Sequence, residues 1–382
     1  MSVPVLRPDL RAAVDELIPI IERDRLTAEG RGRLCPELIE CADARGLFTA
    51  RVPTALGGRD VSLVEQFELS EALSYVDGSV GWTLSFMALS AGLVGGHVSD
   101  AGAFEIYDSN GGRWPRFTGT FPTTGVATRV DGGWSITGRW GFASGIDHAQ
   151  WIAVGTRLAG ARPDDRTALL WAALPVAQAC VIDGTWDVDG LRATGSRTFT
   201  IGDVFVPDSR AFAIAESNGR GSSVHRLPTL VFISPEHAGV ALGLARRALD
   251  EVVALAKGKA RMGGRAPLHA RGAFLRDIGR ADTRLRAARA LVVDRLGAGD
   301  AAVSPMPVDY VTDVRAAAAH VADVAVDVAT LAYRFAGGSA IDRNHPLHRA
   351  WRDAVTATQH VHTNDENYET WGEAISGFAA NG

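Results

Sequence analysis

The stretch Gly138-Arg139-Trp140-Gly141-Phe142-Ala143-Ser144-Gly145-Ile146-Asp147-His148-Ala149-Gln150-Trp151 decides how the rest of the chain is read. Before it, Trp134, Ile136 and Gly138 alternate with Ser135, Thr137 and Arg139, the period-2 pattern of a half-buried strand. The alternation then breaks into Phe-Ala-Ser-Gly. Small residues there let the backbone approach something flat and bulky, and the Ser144 hydroxyl offers one hydrogen bond at that point. A plain strand ending in a turn accounts for the same pattern.

Outward from this stretch the period changes on both sides. Residues 1–112 read as helices. Pro36 suits a first helical turn, Gly46 a stop, and Ser62-Leu63-Val64-Glu65 a capping box. Residues 78–99 contain no Asp, Glu, Lys or Arg, yet hold five glycines and four serines. That mixture favours a helix buried inside a helical domain over a membrane span. From 113 to 215 the period is 2, punctuated by the turn signals Asp131-Gly132, Asp183-Gly184 and Asp189-Gly190. Residues 216–382 turn helical again. Val311, Val314, Ala318, Val321, Ala325, Val328, Ala332 and Phe335 form an alanine-rich seam for close helix packing. The expectation is an α+β chain in three parts: an N-terminal helical domain (1–112), a middle β-sandwich or barrel-like domain (113–215) and a C-terminal four-helix bundle (216–382).

Composition bounds the function. The 382 residues are 46% hydrophobic and 22% charged, with a formal net charge of −5, which disfavours a nucleic-acid partner. Cys35, Cys41 and Cys180 lack metal-ligand spacing, so buried thiols in a reducing cytoplasm are expected and no metal is. No GxGxxG follows a strand, and no P-loop, HExxH or Gly-x-Ser-x-Gly occurs. Near the C-terminus, Leu347, Trp351, Ala354, Thr358 and Val361 read as the buried stripe of one helix. Asp353, Thr356 and His360 form its polar stripe, which faces either water or a cavity where His360 handles a proton.

Several motifs in order then carry a resemblance. Gly119-Thr120-Phe121-Pro122, Gly138-x-Trp140-x-Phe142-x-Ser144-Gly145, Trp186-x-x-x-Gly190-Leu191-Arg192-x-Thr194-Gly195-Ser196, Val204-Phe205-Val206-Pro207 and Pro346-Leu347-x-Arg349-x-Trp351-Arg352-Asp353 resemble the acyl-CoA dehydrogenase superfamily over nearly the whole chain. Where its dehydrogenases carry a carboxylate base, this chain has His360, seven residues after Asp353. That resembles the branch of flavin-dependent monooxygenases of two-component systems, hydroxylases of phenols and aromatic polyketides.

The resemblance implies reduced FMN, with FAD as the other option, delivered by diffusion from a separate flavin reductase. It implies O2 as co-substrate, a C4a-(hydro)peroxyflavin, an aromatic small-molecule substrate and a homotetramer. Ser144 would sit near the flavin N5, Phe142 beside the flavin, Trp186 against the ring, and Thr120 and Ser196 on the flavin or its phosphate side. Arg261 would reach a phosphate across a subunit boundary, although Arg261-Met262-Gly263-Gly264 departs from the family's Arg-x-x-Phe-Gly. His360 would face substrate. The competing readings are a dehydrogenase or oxidase using Glu366 or Glu369 as base, an N- or S-oxygenating member of the same branch, and a scaffold without activity.

Overall fold

The computed structural model describes residues 6–162, 165, 167–215, 217–258, 266–301 and 308–378. Five helices open the chain: α1 (Pro8–Arg31), α2 (Pro36–Ala44), α3 (Leu63–Val76), α4 (Gly78–His97) and α5 (Asp100–Ser109). Gly32, at φ +69°, stops α1. The Ser62–Glu65 capping box opens α3 as expected, satisfying two otherwise orphaned amides. Asp77 caps α4 by accepting from the Val80 amide. Composition and length alone would let α4 span a membrane, but 89% of its apolar window is buried inside the protein. Its lack of charge therefore reflects packing on all sides.

Seven strands follow: β1 (Phe117–Val130), β2 (Gly133–Ala143), β3 (Trp151–Leu158), β4 (Leu169–Pro175), β5 (Cys180–Ile182), β6 (Arg197–Pro207) and β7 (Ala211–Phe212). They form one sheet in the order β5-β6-β2-β1-β3-β4-β7. Only β1 and β3 run parallel among these pairs. The β1–β3 register shifts between Thr120 and Gly125, a bulge that bends the strand. Gly125 is required at this bend, because a Cβ there would overlap the Trp140 ring. Trp140 stacks on Phe199 at 5.4 Å, and its indole N–H donates to Gly155 O at 2.9 Å. The expected sandwich or barrel-like layer is thus a single coiled sheet, with β2 and β6 closing over β3 and β4 around Trp140, Ile136, Val154, Leu174 and Ile201.

The C-terminal part comprises α6 (Thr229–Phe232), α7 (Ser234–Gly258), α8 (Gly272–Asp300), α9 (Val308–Ala336), α10 (Pro346–Ala357) and α11 (Glu366–Ser376). Val314, Ala318, Val321, Ala325, Val328 and Ala332 are buried along α9, as the seam predicted. The reading of the terminal helix is corrected. α10 stops at Ala357, short of His360. The Thr358 hydroxyl bonds back to the carbonyls of Ala354 and Val355, both at 3.1 Å, and the Thr358 amide reaches Ala354 O at 3.2 Å in the same last turn. Val361 is 64% exposed and leaves the buried stripe. Asp353 and Thr356 both face the 190–191 loop, but α10 ends before His360, so the three do not form one helical stripe.

Candidate active site

The Phe142–Gly145 turn is pinned from three sides. Thr118 on β1 donates its hydroxyl to Ser144 O at 2.7 Å. The Gly145 amide donates to Thr194 O at 2.8 Å. Gly145 itself, at φ +73°, lies so close to α4 that a Cβ would stand 2.5 Å from Met87 Sδ. Phe142 also adopts a positive φ, +61°, a costly conformation for a bulky side chain, and its ring is 72% exposed. The result is an uncovered aromatic face meeting Trp186 edge-on at 6.2 Å.

Behind that face runs a directed chain of hydroxyls. The Thr194 hydroxyl donates to Leu191 O at 2.9 Å, so its oxygen accepts from Ser196 at 2.7 Å. The Ser196 hydrogen is then spent, and its oxygen accepts from Ser144 at 2.7 Å. Ser144 in turn accepts from the Trp82 indole N–H at 2.9 Å. One lone pair on Ser144 Oγ is left over. The loop that carries Thr194 and Ser196 is held to α10, since Asp353 Oδ1 accepts from the Leu191 amide at 2.7 Å. Asp353 therefore positions this loop and does not orient His360. Burial, and then the neighbouring Asp77, push its carboxyl up to about 7.

On the other side of Trp82 lies a group of rings. Trp82 and Phe86, one turn apart on α4, stack at 4.2 Å. His237 of α7 meets Phe86 edge-on at 4.8 Å, and the His360 ring lies 6.3 Å from Trp82. His237 Nε2 and His360 Nδ1 are 2.9 Å apart, and the His362 ring lies 4.8 Å from that of His237. Burial lowers the His360 imidazole to about 4. Burial, His360 and Arg315 lower His362 to about 3. Burial foremost holds His237 well below its ordinary range. All three rings are neutral at pH 7.

Carboxylates stay out of this cage. Glu236, next to His237 in sequence, turns to Arg51 at 3.6 Å, and burial pushes it up to about 7. Glu366 and Glu369 are exposed on α11. Among the described residues no group of His, Cys, Asp and Glu is arranged to hold a metal.

The structure brings Ser144, Ser196, Phe142 and Trp186 together and places His360 one indole away. Thr120 is buried with its hydroxyl unpartnered, lining a cavity of about 20 Å³ with Ser90, Leu93, Trp171 and Phe212. Arg261 lies outside the described residues. Sequence reasoning missed Trp82, Phe86, His237 and Thr194. For the first two the signal was there: aromatic residues at i and i+4 on a charge-free helix. The loop at 219–227 packs on the far end of α4, where a Cβ on Gly96 would touch the His225 ring. Gly96 is fourteen residues, roughly 20 Å, from Trp82.

Residues 236–365 match the family model "Acyl-CoA dehydrogenase, C-terminal domain". The chain is 33% identical over 360 residues to indole-3-acetate monooxygenase of Pseudomonas putida, covering 93% of this chain and 91% of that one. It is 27% identical to the oxygenase component of the FADH2-dependent resorcinol hydroxylase of a Rhizobium species, covering 94% and 91%. Its fold matches the structure of XiaF from a Streptomyces species in complex with FADH2 and glycerol at a TM-score of 0.87, with 22% identity and coverage of 98% and 96%. With a relative this similar along almost its whole length, the chain belongs to the acyl-CoA dehydrogenase-like flavin-dependent monooxygenases, as an oxygenase subunit that works with reduced flavin.

Proposed function

We propose that this chain hydroxylates a small aromatic substrate, taking reduced FMN or FAD from a separate reductase. The observation that carries the proposal is the His360 imidazole: neutral, partly exposed, walled by Trp82 and Phe86, and one indole away from the Ser144 hydroxyl chain. Reduced flavin, when bound, supplies the electrons that activate O2.

The residues present fit such a group. Phe142 and Trp186 offer aromatic surface for a flat ring system. The remaining lone pair of Ser144 Oγ suits an N–H donor such as the N5–H of reduced flavin, because its own hydrogen is spent on Ser196. The unpartnered Thr120 hydroxyl is a second polar group awaiting a ligand. Trp82 and Phe86 exclude water, and His360 takes or holds a proton at the substrate hydroxyl. An aromatic substrate is supported by the rings that line the cage and by relatives named for indole-3-acetate and resorcinol. Exposed Leu275 and Leu291 on α8, and Ile341, support assembly beyond one chain, here taken as a homotetramer.

The test supplies reduced FMN or FAD from an added flavin reductase and measures product formed per O2 consumed, with indole-3-acetate and resorcinol as first substrates. His360→Ala should release H2O2 in place of product. Fully coupled turnover in that variant would refute the assignment. Flavin reduced by an acyl-CoA would restore the dehydrogenase reading.

A further inference from the structure

Three hydroxyls and one carbonyl meet in a row behind Ser144, and their supply of hydrogens fixes which way each one points. The row has three oxygen–oxygen contacts: Thr194 to Leu191 O at 2.9 Å, Thr194 to Ser196 at 2.7 Å and Ser196 to Ser144 at 2.7 Å. Each hydroxyl brings one hydrogen, and the carbonyl brings none. Every contact holds a hydrogen in one arrangement only: Thr194 donates to Leu191 O, Ser196 to Thr194, and Ser144 to Ser196. Reversing the row would set two bare oxygens 2.9 Å apart at Leu191, where Thr194 is 1% exposed. The Thr194 amide and the Trp186 indole also reach Leu191 O, both at 3.2 Å, and neither can hand a hydrogen to the Thr194 oxygen.

Both ends of the row are anchored. Leu191 stands at φ +54°, and its amide donates to Asp353 Oδ1 at 2.7 Å, so α10 fixes the carbonyl at which the row ends. At the other end the Trp82 indole N–H can only donate, and it takes one lone pair of Ser144 Oγ at 2.9 Å. The Thr118 hydroxyl donates to Ser144 O at 2.7 Å, which keeps the residue from turning. Ser144 Oγ therefore meets any ligand as an acceptor with no hydrogen to give. A ligand atom at that lone pair gains a hydrogen bond if it carries a hydrogen, and meets lone-pair repulsion if it is bare.

We propose that Thr194 is a positioning residue that sets the site's preference for reduced over oxidised flavin, acting through Ser196 on Ser144. This rests on the reading above, in which Ser144 meets position 5 of the flavin ring. Reduced flavin carries N–H there and oxidised flavin a bare nitrogen, so the row accepts the first and repels the second. Oxidised flavin finds a donor at Ser144 only if the whole row reverses, which leaves the contact between Thr194 and Leu191 O without its hydrogen. One net hydrogen bond amounts to about tenfold in affinity. The site thus holds the cofactor while it is reduced and loosens on it once it is oxidised, with no movement of the chain required.

The experiment titrates the protein with FMN, and with FAD in parallel, anaerobically in the reduced form and aerobically in the oxidised form, and reads the ratio of the two Kd values. The parent should favour reduced flavin by about tenfold. Thr194→Val keeps the shape and removes the hydroxyl, so the Ser196 hydrogen turns to Ser144 and frees the Ser144 hydrogen. Its ratio should fall by about tenfold, through weaker reduced and tighter oxidised binding. Thr194→Ser should restore the parent ratio. Ser196→Ala also frees the Ser144 hydrogen and should shift the ratio the same way, which keeps the test open if Thr194→Val does not fold. In Thr194→Val the 15N resonance of N5 in bound oxidised flavin should move to lower frequency, the mark of a new donor at that nitrogen. A ratio that stays at the parent value in a folded variant overturns the proposal, even if both forms bind more weakly, since damage to the loop alone gives that result. A parent that binds no reduced flavin overturns the flavin reading itself, and the proposal with it.

Discussion

Gly190→Ala tests whether the loop at 190–196 is held in register by α10. A Cβ on Gly190 would overlap Arg352 O and Thr356 Oγ1 and stand 2.7 Å from the Arg352 carbonyl carbon. Ordinary contact needs about 3.5 Å, and Arg352 O and Thr356 Oγ1 lie nearer than that carbon, so loop and helix must separate by at least roughly 0.8 Å. The adjacent Leu191 amide to Asp353 bond is 2.7 Å long, and the same separation stretches it to about 3.5 Å, beyond useful hydrogen bonding. Overpacking costs about 1–3 kcal/mol. An amide and a carboxyl left unpaired in the interior cost about 1–3 kcal/mol more. The expected loss is about 3 kcal/mol, read from urea unfolding at constant m-value. Because the displaced loop carries Thr194 and Ser196, the Ser144 hydroxyl loses its acceptor. Affinity for reduced flavin, titrated anaerobically, should fall about tenfold, the equivalent of one net hydrogen bond. A variant within 0.5 kcal/mol of the parent that binds flavin equally well would show that α10 does not position this loop.

Three further outcomes follow from the same geometry. Asp353→Asn keeps an acceptor for Leu191 but removes a carboxyl that holds its proton up to about 7 in the folded protein, against about 3.8 unfolded. The folded parent binds the extra proton between those values, which offsets acid destabilisation. Relative to the parent, the variant should lose up to about 1.4 kcal/mol per pH unit on acidification from pH 7 to 4, and parallel stability curves would refute this. Trp82→Phe removes the only indole donor to Ser144 among the described residues and thins the ring group, and should cost about 2 kcal/mol in urea unfolding. Thr120→Val should leave the flavin-free protein as stable as the parent or up to about 1 kcal/mol more so, because the buried hydroxyl has no partner. Its affinity for reduced flavin should fall, and unchanged affinity would remove Thr120 from the site.

The order of helices, strands and helices was legible because local signals agree with the global fold. The Ser62–Glu65 box, the charge-free α4 and the 3-4 seam of α9 each specify an element from neighbours within a few residues. Ser144 was legible for the same reason, as a small hydroxyl residue where a strand breaks. Its acceptor Ser196 lies 52 positions away, and its donor Trp82 is aimed by the rotation of α4. Neither relation has a period. The end of α10 was misread because Thr358 and Val361 fit a helical stripe by spacing and no Gly or Pro after Ala357 marks the stop. His237 was invisible: it sits within the buried face of α7 among residues whose pattern says only core.

The cage and the imidazole imply each other. Trp82 joins a hydroxyl chain built by β2 and the 191–196 loop to a histidine pair built by α7 and the segment after α10. Its indole edge serves the first and its face borders the second. A site walled by Trp82 and Phe86 is poor in water, and a carboxylate there would bear a desolvation penalty of several kcal/mol. Glu366 and Glu369 accordingly remain exposed. A neutral imidazole bears no such penalty and still binds a proton when chemistry delivers one. The same dryness that lowers His360 to about 4 makes it a weak base at rest. Removing the cage, by opening Trp82 or Phe86 to smaller side chains, should therefore raise the resting His360 pKa toward its ordinary value while lowering the yield of product per O2, two changes that a base working in water would not show together.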